Sequence, residues 1–405
     1  MSALYIEVLD NLQVVDIYAK LGADGDAAAD NGVQLAGEAD VKVGSHAPIK
    51  LPVTVYPQKA TTVVLPPSGG DAAARWVRTR VPIDHCSRKA RLDAMPQAIA
   101  RIDRPATAAS IGALEDVWCQ ACGASLVVDA MKRADSPCNI RDLPSAHWNE
   151  MVDCWLCHPE EDSLNVNPEL MFSFEPEKGP APAAPAPDSQ PGTGVHMWVG
   201  NMFVLVPVPC TRGLSAKLVA LDDKDRFDNA FSPLQCDSCA SVVGEAGRVG
   251  RRQTAKMYLH RIGLRNAEST IEVSLSQAIC SELLSHAGAH AVYKYVLEGR
   301  VSCRPAALVH LVGWNAEIMA SSMAATGGPH GAPAFERCVK VLFLGPRDAG
   351  FESMSKQWLD DEAVELVSLL DEDCALLLEL LEANSRRVPP QLRTMSGMTR
   401  SFLTL

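Results

Sequence analysis

Short apolar segments separated by turn residues dominate the first hundred positions. Apolar and β-branched residues are concentrated in segments 4–8, 14–18, 49–56, 61–65 and 76–82. Clusters of Gly, Asp, Asn and Pro separate these segments, which is the pattern of strands connected by turns. The N-terminal part of the chain is therefore predicted to be β-rich. Residues 22–30 are small and acidic and are predicted to form a loop.

After residue 256 the pattern changes to a mixture of helices and strands. The spacing of apolar residues predicts helices over 271–286 and 362–381, and strands over 291–297, 306–314, 337–344 and 402–405. In the middle of the chain, residues 198–208 are a predicted strand. Ser145 is the predicted N-cap of a further helix, on which Trp148 and Trp155 share one face.

These elements predict an α+β protein with a β-rich N-terminal half and an α+β C-terminal half. We divide it into a β-rich domain over 1–115, a middle region over 116–258 and an α+β region over 259–405. Residues 179–194 are rich in Pro, Ala and Gly, which is typical of an extended linker within the middle region. A length of 405 residues agrees with two or three domains.

Composition and charge narrow the possible functions. Hydrophobic residues make up 47% and charged residues 21% of the chain, as in a globular protein. The net charge of −12 would repel a phosphate backbone, so direct binding to nucleic acid is not expected. No apolar segment approaches the roughly 20 residues of a membrane helix, and no secretory signal is recognisable. We therefore expect a protein of the cytoplasm, with the nucleus as a second location.

The cysteines are the main chemical signal in this chain. There are 13, and without a secretory signal they are expected to be reduced thiols and metal ligands instead of disulfides. At the Cys-x-x-Cys spacing, two thiolates of one turn can bind the same zinc ion, and two such pairs complete a four-cysteine site. The chain contains three pairs, which are Cys119/Cys122, Cys154/Cys157 and Cys236/Cys239.

The sequence alone leaves open which two pairs share a zinc ion. Cys122 and Cys239 are each followed by a short apolar stretch, whereas Cys157 follows the predicted Trp-bearing helix. We therefore favour a structural zinc in the β-rich part of the chain, held by Cys119, Cys122, Cys236 and Cys239. Other pairings, and thiols without any metal, are the alternatives.

Cys157 has two interpretations. It is either a small buried residue at the end of the predicted helix or a thiolate presented to a metal ion. A helix C-terminus raises the pKa of a nearby thiol, which disfavours a free nucleophile and favours metal ligation. Trp148 and Trp155 are likewise either core residues or anchors of an interface. The chain contains no nucleotide-binding glycine loop, no Gly-x-Ser-x-Gly elbow and no His-Glu-x-x-His motif.

Several motifs together resemble one known family. Leu-Pro-Ser-x-x-Trp at 143–148, followed by Trp-x-Cys-His at 155–158, resembles the central motif of the HECT-like ubiquitin ligases, which bind ubiquitin-conjugating enzymes. Other motifs agree in order, namely Tyr-Ile-Glu-Val at 5–8, the outer two cysteine pairs, Val-Gly-Asn-x-Phe at 199–203, Val-Lys-Val-Leu at 339–342 and Pro-Pro-Gln-Leu-Arg at 389–393. The resemblance thus covers nearly the whole chain.

The resemblance implies an E3-type ubiquitin ligase that binds a ubiquitin-conjugating enzyme and ubiquitin. The family's enzyme-binding stretch corresponds to residues 234–258 and its HECT-like segment to residues 369–405. The HECT-like segment contains Cys374, which the resemblance makes the candidate for accepting ubiquitin as a thioester. Its acidic neighbours and its leucine-rich helix favour a core thiol instead.

The resemblance also implies a binding function without catalysis. The segment from the tryptophans to Cys157 and His158 resembles a motif by which a cysteine reaches the zinc of a metallo-β-lactamase-type nuclease of pre-mRNA 3′-end processing. Cys157 would then be the ligand inserted into the active site of the nuclease. The partner-binding residues of this alternative are Trp148, Trp155, Cys157 and His158.

Overall fold

The computed structural model describes most of the chain in twelve stretches, which are residues 3–9, 12–21, 33–35, 37–43, 48–66, 75–90, 104–128, 138–143, 196–216, 232–249, 252–322 and 335–405. The chain forms two compact units. The first combines Met1–Asp103 with His286–Leu405, and the second is Arg104–Ser285. The sequence-based division into three consecutive regions stays a prediction.

Strands outnumber helices in the described residues, which confirms the predicted α+β class with its large share of β structure. The strands are β1 Ala3–Leu9, β2 Val14–Leu21, β3 Val33–Leu35, β4 Asp40–Val43, β5 Ile49–Lys50, β6 Thr61–Leu65, β7 Arg75–Pro82, β8 Leu114–Cys119, β9 Asn139–Asp142, β10 His196–Val199, β11 Phe203–Pro207, β12 Leu214–Ala216, β13 Pro233–Cys236, β14 Val242–Val249, β15 Arg252–Tyr258, β16 Ile262–Asn266, β17 Thr270–Glu272, β18 Lys294–Gly299, β19 Pro305–Ser322, β20 Glu336–Leu344, β21 Val364–Leu369, β22 Thr394–Met395 and β23 Met398–Thr404. The helices are α1 Ala108–Ile111, α2 Leu275–His290, α3 Phe351–Leu359 and α4 Asp371–Arg387.

A ten-stranded sheet is the frame of the first unit. Its main path runs β22-β23-β20-β19-β1-β2-β7-β6, and neighbours on this path are antiparallel. β18 pairs with β19 and, in parallel, with β21. The 18-residue β19 is long enough to pair with β18 near its start and with β1 near its end. Strands that are distant in sequence therefore share one sheet.

The alternation of side chains gives this sheet an apolar face and a partly charged face. On β1, Leu4, Ile6 and Val8 are buried in a core that also includes residues of the small sheet β3-β4-β5. Tyr5 and Glu7 point to the opposite face, as the period of two in a strand requires. Tyr5 belongs to a second core on that face, and Glu7 is buried there as a charged residue.

The predicted helix over 362–381 is wrong in its first part. Residues Val364–Leu369 form β21, which pairs with β18, and α4 begins at Asp371. The two valines of Val-Glu-Leu-Val-Ser-Leu suit a strand as well as a helix face, and pairing with the buried β18 decides for the strand. Acidic residues in the first turn of α4 suit the positive end of the helix dipole.

Three other boundaries differ from the prediction. The strand predicted over 198–208 is a hairpin of β10 and β11. The helix predicted over 271–286 starts later, where the side chains of Ser274 and Gln277 accept each other's backbone N–H in a capping box. Of the strand predicted over 49–56, only β5 and one isolated bridge form.

The second unit contains two sheets, and both lead to cysteines. A seven-stranded sheet has the order β12-β13-β14-β15-β11-β10-β9, and a three-stranded sheet has the order β17-β16-β8. β8 ends at Cys119 in the small sheet, and β13 ends at Cys236 in the large one. Each strand thus stops at the first cysteine of a Cys-x-x-Cys pair. Among the residues that the structure describes, no helix is long and apolar enough to span a membrane.

Candidate metal centre

Two Cys-x-x-Cys pairs come together in the second unit. The Sγ atoms of Cys119, Cys122, Cys236 and Cys239 all lie within 4.8 Å of one another. The distance is 3.7 Å between Cys119 Sγ and Cys239 Sγ, and also 3.7 Å between Cys122 Sγ and Cys236 Sγ. These partners are 120 and 114 positions apart in sequence. The predicted four-cysteine cluster, made of the first and third pairs, is confirmed.

The two cysteine turns, which we call the first and second knuckle, share one backbone geometry. In each, the fourth residue after the first cysteine, Gly123 or Ala240, donates its N–H to the carbonyl of that cysteine at 2.8 Å. The φ angle of this residue is positive, at 76° in Gly123 and 60° in Ala240. Cys119 donates its own N–H to the carbonyl of Ala124 at 2.9 Å, and Cys236 donates its N–H to the carbonyl of Ser241 at 3.0 Å. This turn brings both thiols of a knuckle to the same side.

The spacing of the thiols fits a tetrahedral metal ion. With Zn–S bonds of about 2.3 Å, the edge of a tetrahedron of thiolates is about 3.8 Å. The two measured separations of 3.7 Å agree with this edge, and they are far longer than the roughly 2.05 Å of a disulfide bond. Cys119 and Cys236 are buried, whereas Cys122 and Cys239 are exposed. The cluster is therefore placed to hold a metal ion close to the protein surface.

The thiols differ in their electrostatic surroundings. Burial raises the pKa of Cys119 to about 12. Hydrogen bonds from the side chain and the backbone of Ser241 lower the pKa of Cys239 to about 6. Cys239 is therefore ready to bind a cation at neutral pH, whereas Cys119 gives up its proton when a cation compensates the buried charge.

Gln120, within the first knuckle, ties the cluster to a neighbouring turn. Its Nε2 donates to the carbonyl of Ile262 at 2.8 Å and lies 3.4 and 3.5 Å from the carbonyls of Val273 and Leu259. Its backbone N–H donates to the carbonyl of Arg261 at 3.1 Å. Gln120 could not be recognised from the sequence, because a glutamine between two cysteines carries no signal of its distant partners.

A buried carboxylate supports the strand that leads to the first knuckle. Asp116 accepts hydrogen bonds from the Ser125 hydroxyl at 2.6 Å and from Arg265 at 3.1 Å. The Arg265 guanidinium also lies over the Trp118 ring, 5.5 Å from its centroid. Gly263 faces the same ring, and a Cβ at this position would collide with it. No local signal in the sequence points to this support, because Arg265 is far from Asp116 along the chain.

The motif of the middle cysteine pair lies outside the described residues. This applies to Trp148, Trp155, Cys157 and His158, and also to Cys154 and to the predicted linker at 179–194. Their predicted roles in binding a partner therefore stay predictions.

Cys374 lies on α4 in the first unit and is buried, with 5% of its surface exposed. Burial raises its pKa to about 12, and the charges of Asp371 and Asp373 add to this effect. A thiol with a raised pKa is a poor nucleophile, because little of it is thiolate at neutral pH. The catalytic role that the resemblance implies for Cys374 stays a prediction.

Comparison with known proteins shows the class of this protein. The model of the family described as HECT-like ubiquitin-conjugating enzyme (E2)-binding matches residues 7–399. The chain therefore belongs to the HECT-like ubiquitin-conjugating enzyme (E2)-binding family, in agreement with its sequence motifs. Membership in this family implies a ubiquitin-conjugating enzyme as a partner.

Several curated relatives bear the name of a ubiquitin ligase. The chain is 20% identical over 311 residues to a protein of Bos taurus named as an E3 ubiquitin-protein ligase, with 71% of this chain and 72% of the relative covered. The Homo sapiens protein of the same name is 20% identical over 316 residues, with the same coverage of 71% and 72%. An uncharacterized protein of Schizosaccharomyces pombe is 25% identical over 157 residues, which are 39% of this chain and 38% of the relative. No solved structure matches the chain.

The cluster predicts one bound metal ion per chain, which Cys119→Ser and Cys236→Ser should each remove. A site that needs four ligands binds far more weakly with three thiolates. Elemental mass spectrometry of the purified protein measures the metal content. Cys86→Ser is the matched control, because Cys86 is an exposed thiol of the first unit. Metal retained in Cys119→Ser, or lost in Cys86→Ser, would contradict the assignment.

The shared turn geometry predicts opposite effects at its two equivalent positions. Gly123→Ala should destabilise the metal-bound protein by about 1 kcal/mol, and Ala240→Gly should stabilise it by about the same amount. A positive φ is unfavourable for Ala, and nothing lies within 4 Å of a Cβ built on Gly123, so only the backbone matters there. Urea unfolding measures both changes. Effects of equal sign would show that the knuckles are not equivalent.

Proposed function

We propose that this protein is an E3-type ubiquitin ligase that binds a ubiquitin-conjugating enzyme and promotes transfer of ubiquitin to substrates. The observation that carries the proposal is the match of the E2-binding family across residues 7–399. The ligase name of the relatives from Bos taurus and Homo sapiens supports it. Ubiquitin is then a second partner, which arrives on the conjugating enzyme.

The proposed contact with the conjugating enzyme is the stretch 234–258. It contains the second knuckle and the strands β14 and β15. Residues 237–240, at the tip of the knuckle, are exposed, whereas Leu234 and Cys236 just before them are buried. An exposed loop held by a buried scaffold is a common form of binding site. The tip is therefore the part of this stretch that is most available to a partner.

Zinc is the proposed occupant of the four-cysteine cluster, with a structural role. Four thiolates at tetrahedral spacing form a closed site, in which no coordination position is open for water or substrate. The ion would join Cys119 at the end of β8 to Cys236 at the end of β13, and so hold the tip of the second knuckle. Structural zinc contributes on the order of 10 kcal/mol in small domains, and less is expected in a unit with its own apolar core.

Two routes of ubiquitin transfer differ in the role of Cys374. In a HECT-type route, its thiolate attacks the thioester between ubiquitin and the conjugating enzyme, and the cysteine of that enzyme leaves as a thiolate. The burial of Cys374 and its raised pKa oppose this step. We therefore favour a direct route, in which the protein holds the loaded conjugating enzyme close to the lysine of the substrate.

Binding to a pre-mRNA 3′-end processing nuclease is a separate prediction. It depends on the motif with Trp148, Trp155, Cys157 and His158, whose residues the structure leaves undescribed. Cys157→Ser should abolish copurification of the nuclease if this prediction is correct. A cytoplasmic location, with the nucleus as a second one, is the proposal that suits both functions.

Asp237→Arg and Ser238→Arg should weaken binding of the conjugating enzyme about tenfold or more, which corresponds to about 1.4 kcal/mol. Both residues are exposed at the knuckle tip and are not metal ligands, so metal content should be unchanged. Glu268→Arg is the matched control, since it changes an exposed acidic residue in another turn of the same unit. Binding is measured by biolayer interferometry. Equal affinity of all three variants for the conjugating enzyme would refute the proposed contact.

Cys374→Ala should retain ubiquitin transfer in an assay with purified activating and conjugating enzymes. The direct route needs no thiol at this position, and no ubiquitin thioester that added thiols cleave should form on the protein. Circular dichroism checks that the variant is folded. If the folded variant loses both activity and a thiol-cleavable adduct seen with the unmodified protein, the HECT-type route through Cys374 is correct.

A further inference from the structure

Two rows of polar side chains cross the partly charged face of the ten-stranded sheet. They run over the adjacent strands β1, β2 and β7, where antiparallel pairing fixes which residues are neighbours. Cross-strand neighbours point to the same face of a sheet, so the rows lie side by side. The first row is Tyr5, Tyr18 and Arg78, and the second is Glu7, Asp16 and Arg80.

Two arginines hold the carboxylate of Asp16. Arg78 Nη2 donates to it at 2.8 Å, and Arg80 donates with both Nε and Nη2 at 2.8 Å. The Arg78 guanidinium also lies over the ring of Tyr18, 5.9 Å from its centroid. The Asp16 side chain is only 2% exposed, whereas those of Arg78 and Arg80 are 30% and 38% exposed. The arginine pair is therefore the part of the network that solvent reaches.

Two further cations hold the carboxylate of Glu7, whose side chain is 2% exposed. Lys340 Nζ lies 2.8 Å from it, and Arg400 Nη2 donates to both of its oxygens at 2.8 Å. On the same face, Glu336 and Arg387 pair with each other and add no net charge. Glu7 and Asp16 thus have four cationic partners, so these six groups carry a surplus of two positive charges, and Lys20 lies on the same face of β2 as Asp16.

The network also contains hydrogen-bond donors that are not used. Among the residues that the structure describes, Tyr5 Oη and Arg78 Nε are buried atoms without a hydrogen-bond partner. Tyr5 as a whole is 1% exposed. Buried donors without a partner are unfavourable unless an acceptor compensates them, and a surplus of positive charge favours an acceptor that is negative. The surplus stands out in a chain whose net charge is −12.

We propose that the Arg78–Arg80 end of this network binds an oxyanion of the phosphate class that carries two negative charges. A dianion matches the surplus of two, whereas a monoanion would leave one charge uncompensated. Guanidinium groups offer five N–H donors each, and their planar arrangement suits phosphate oxygens. The bonds to Asp16 use one donor of Arg78 and two of Arg80, so both arginines keep donors for a ligand.

The test is isothermal titration calorimetry of the 405-residue chain with inorganic phosphate and, separately, with O-phosphoserine. Arg78→Gln should weaken binding of the tighter ligand about tenfold, because the site loses a charge and its donors. Lys340→Gln removes a surplus charge farther along the sheet and should weaken binding by a smaller factor. Asp16 keeps Arg80 in the first variant, and Glu7 keeps Arg400 in the second, so neither carboxylate is left unpaired. Circular dichroism verifies the fold.

Arg265→Gln is the matched control in the second unit. Like Arg78, Arg265 pairs with a carboxylate and lies over an aromatic ring, here that of Trp118. It should leave phosphate binding unchanged. Tighter binding of O-phosphoserine would identify a phosphorylated side chain as the source of the phosphate group. Tighter binding of inorganic phosphate would identify a free ligand. No saturable binding in the millimolar range, or equal weakening in Arg265→Gln, would overturn the proposal.

Discussion

The second unit depends on the approach of two turns that lie more than a hundred residues apart in sequence. Closing a loop of this length has an entropic cost that grows slowly with length, so the interaction that closes it need not be large. The 3.7 Å separations of thiols from different knuckles show that the fold itself positions the four ligands. Since β8 and β13 each end at a cysteine, the cluster joins the ends of strands from two different sheets. An ion there would add to the backbone hydrogen bonds that join residues 126–128 to residues 210–212.

In the first unit, the corresponding constraint is the alternation of side chains in a large sheet. Leu4, Ile6 and Val8 occupy one face of β1, which forces Tyr5 and Glu7 onto the other. A buried carboxylate is tolerated only with close partners. Burial acts to lower the pKa of Arg400, but the charge of Glu7, the hydrogen bonds to Glu7 and the neighbouring tyrosines together outweigh it and raise this pKa above its ordinary value. The same register that completes the apolar core therefore creates the ion network on the opposite face.

Local signals were sufficient for some of these features and not for others. The strand over 61–65 and the pairing of the outer knuckles could be predicted, because β-branched runs and the Cys-x-x-Cys spacing are encoded within a few residues. The boundary within segment 362–381 could not, since the apolar residues of 364–369 also fit a helix face and only pairing with β18 makes them a strand. Gln120 and the ion network were missed for a related reason. Their partners come from distant strands, and the type of a residue does not indicate which strands become neighbours.

Of the two proposed routes of ubiquitin transfer, the position of Cys374 favours the one that relies on the chemistry of the conjugating enzyme. The start of α4 is fixed, because Asp371 accepts hydrogen bonds from the backbone N–H groups of Val301 and Ser302 at 2.9 and 3.3 Å. Hydrogen bonding by Ser302 lowers the pKa of Asp371, so this carboxylate stays charged beside the thiol. Gly299 faces the same carboxylate so closely that a Cβ there would collide with it. Exposing Cys374 would require breaking this packing, whereas a conjugating enzyme already presents ubiquitin on an accessible cysteine.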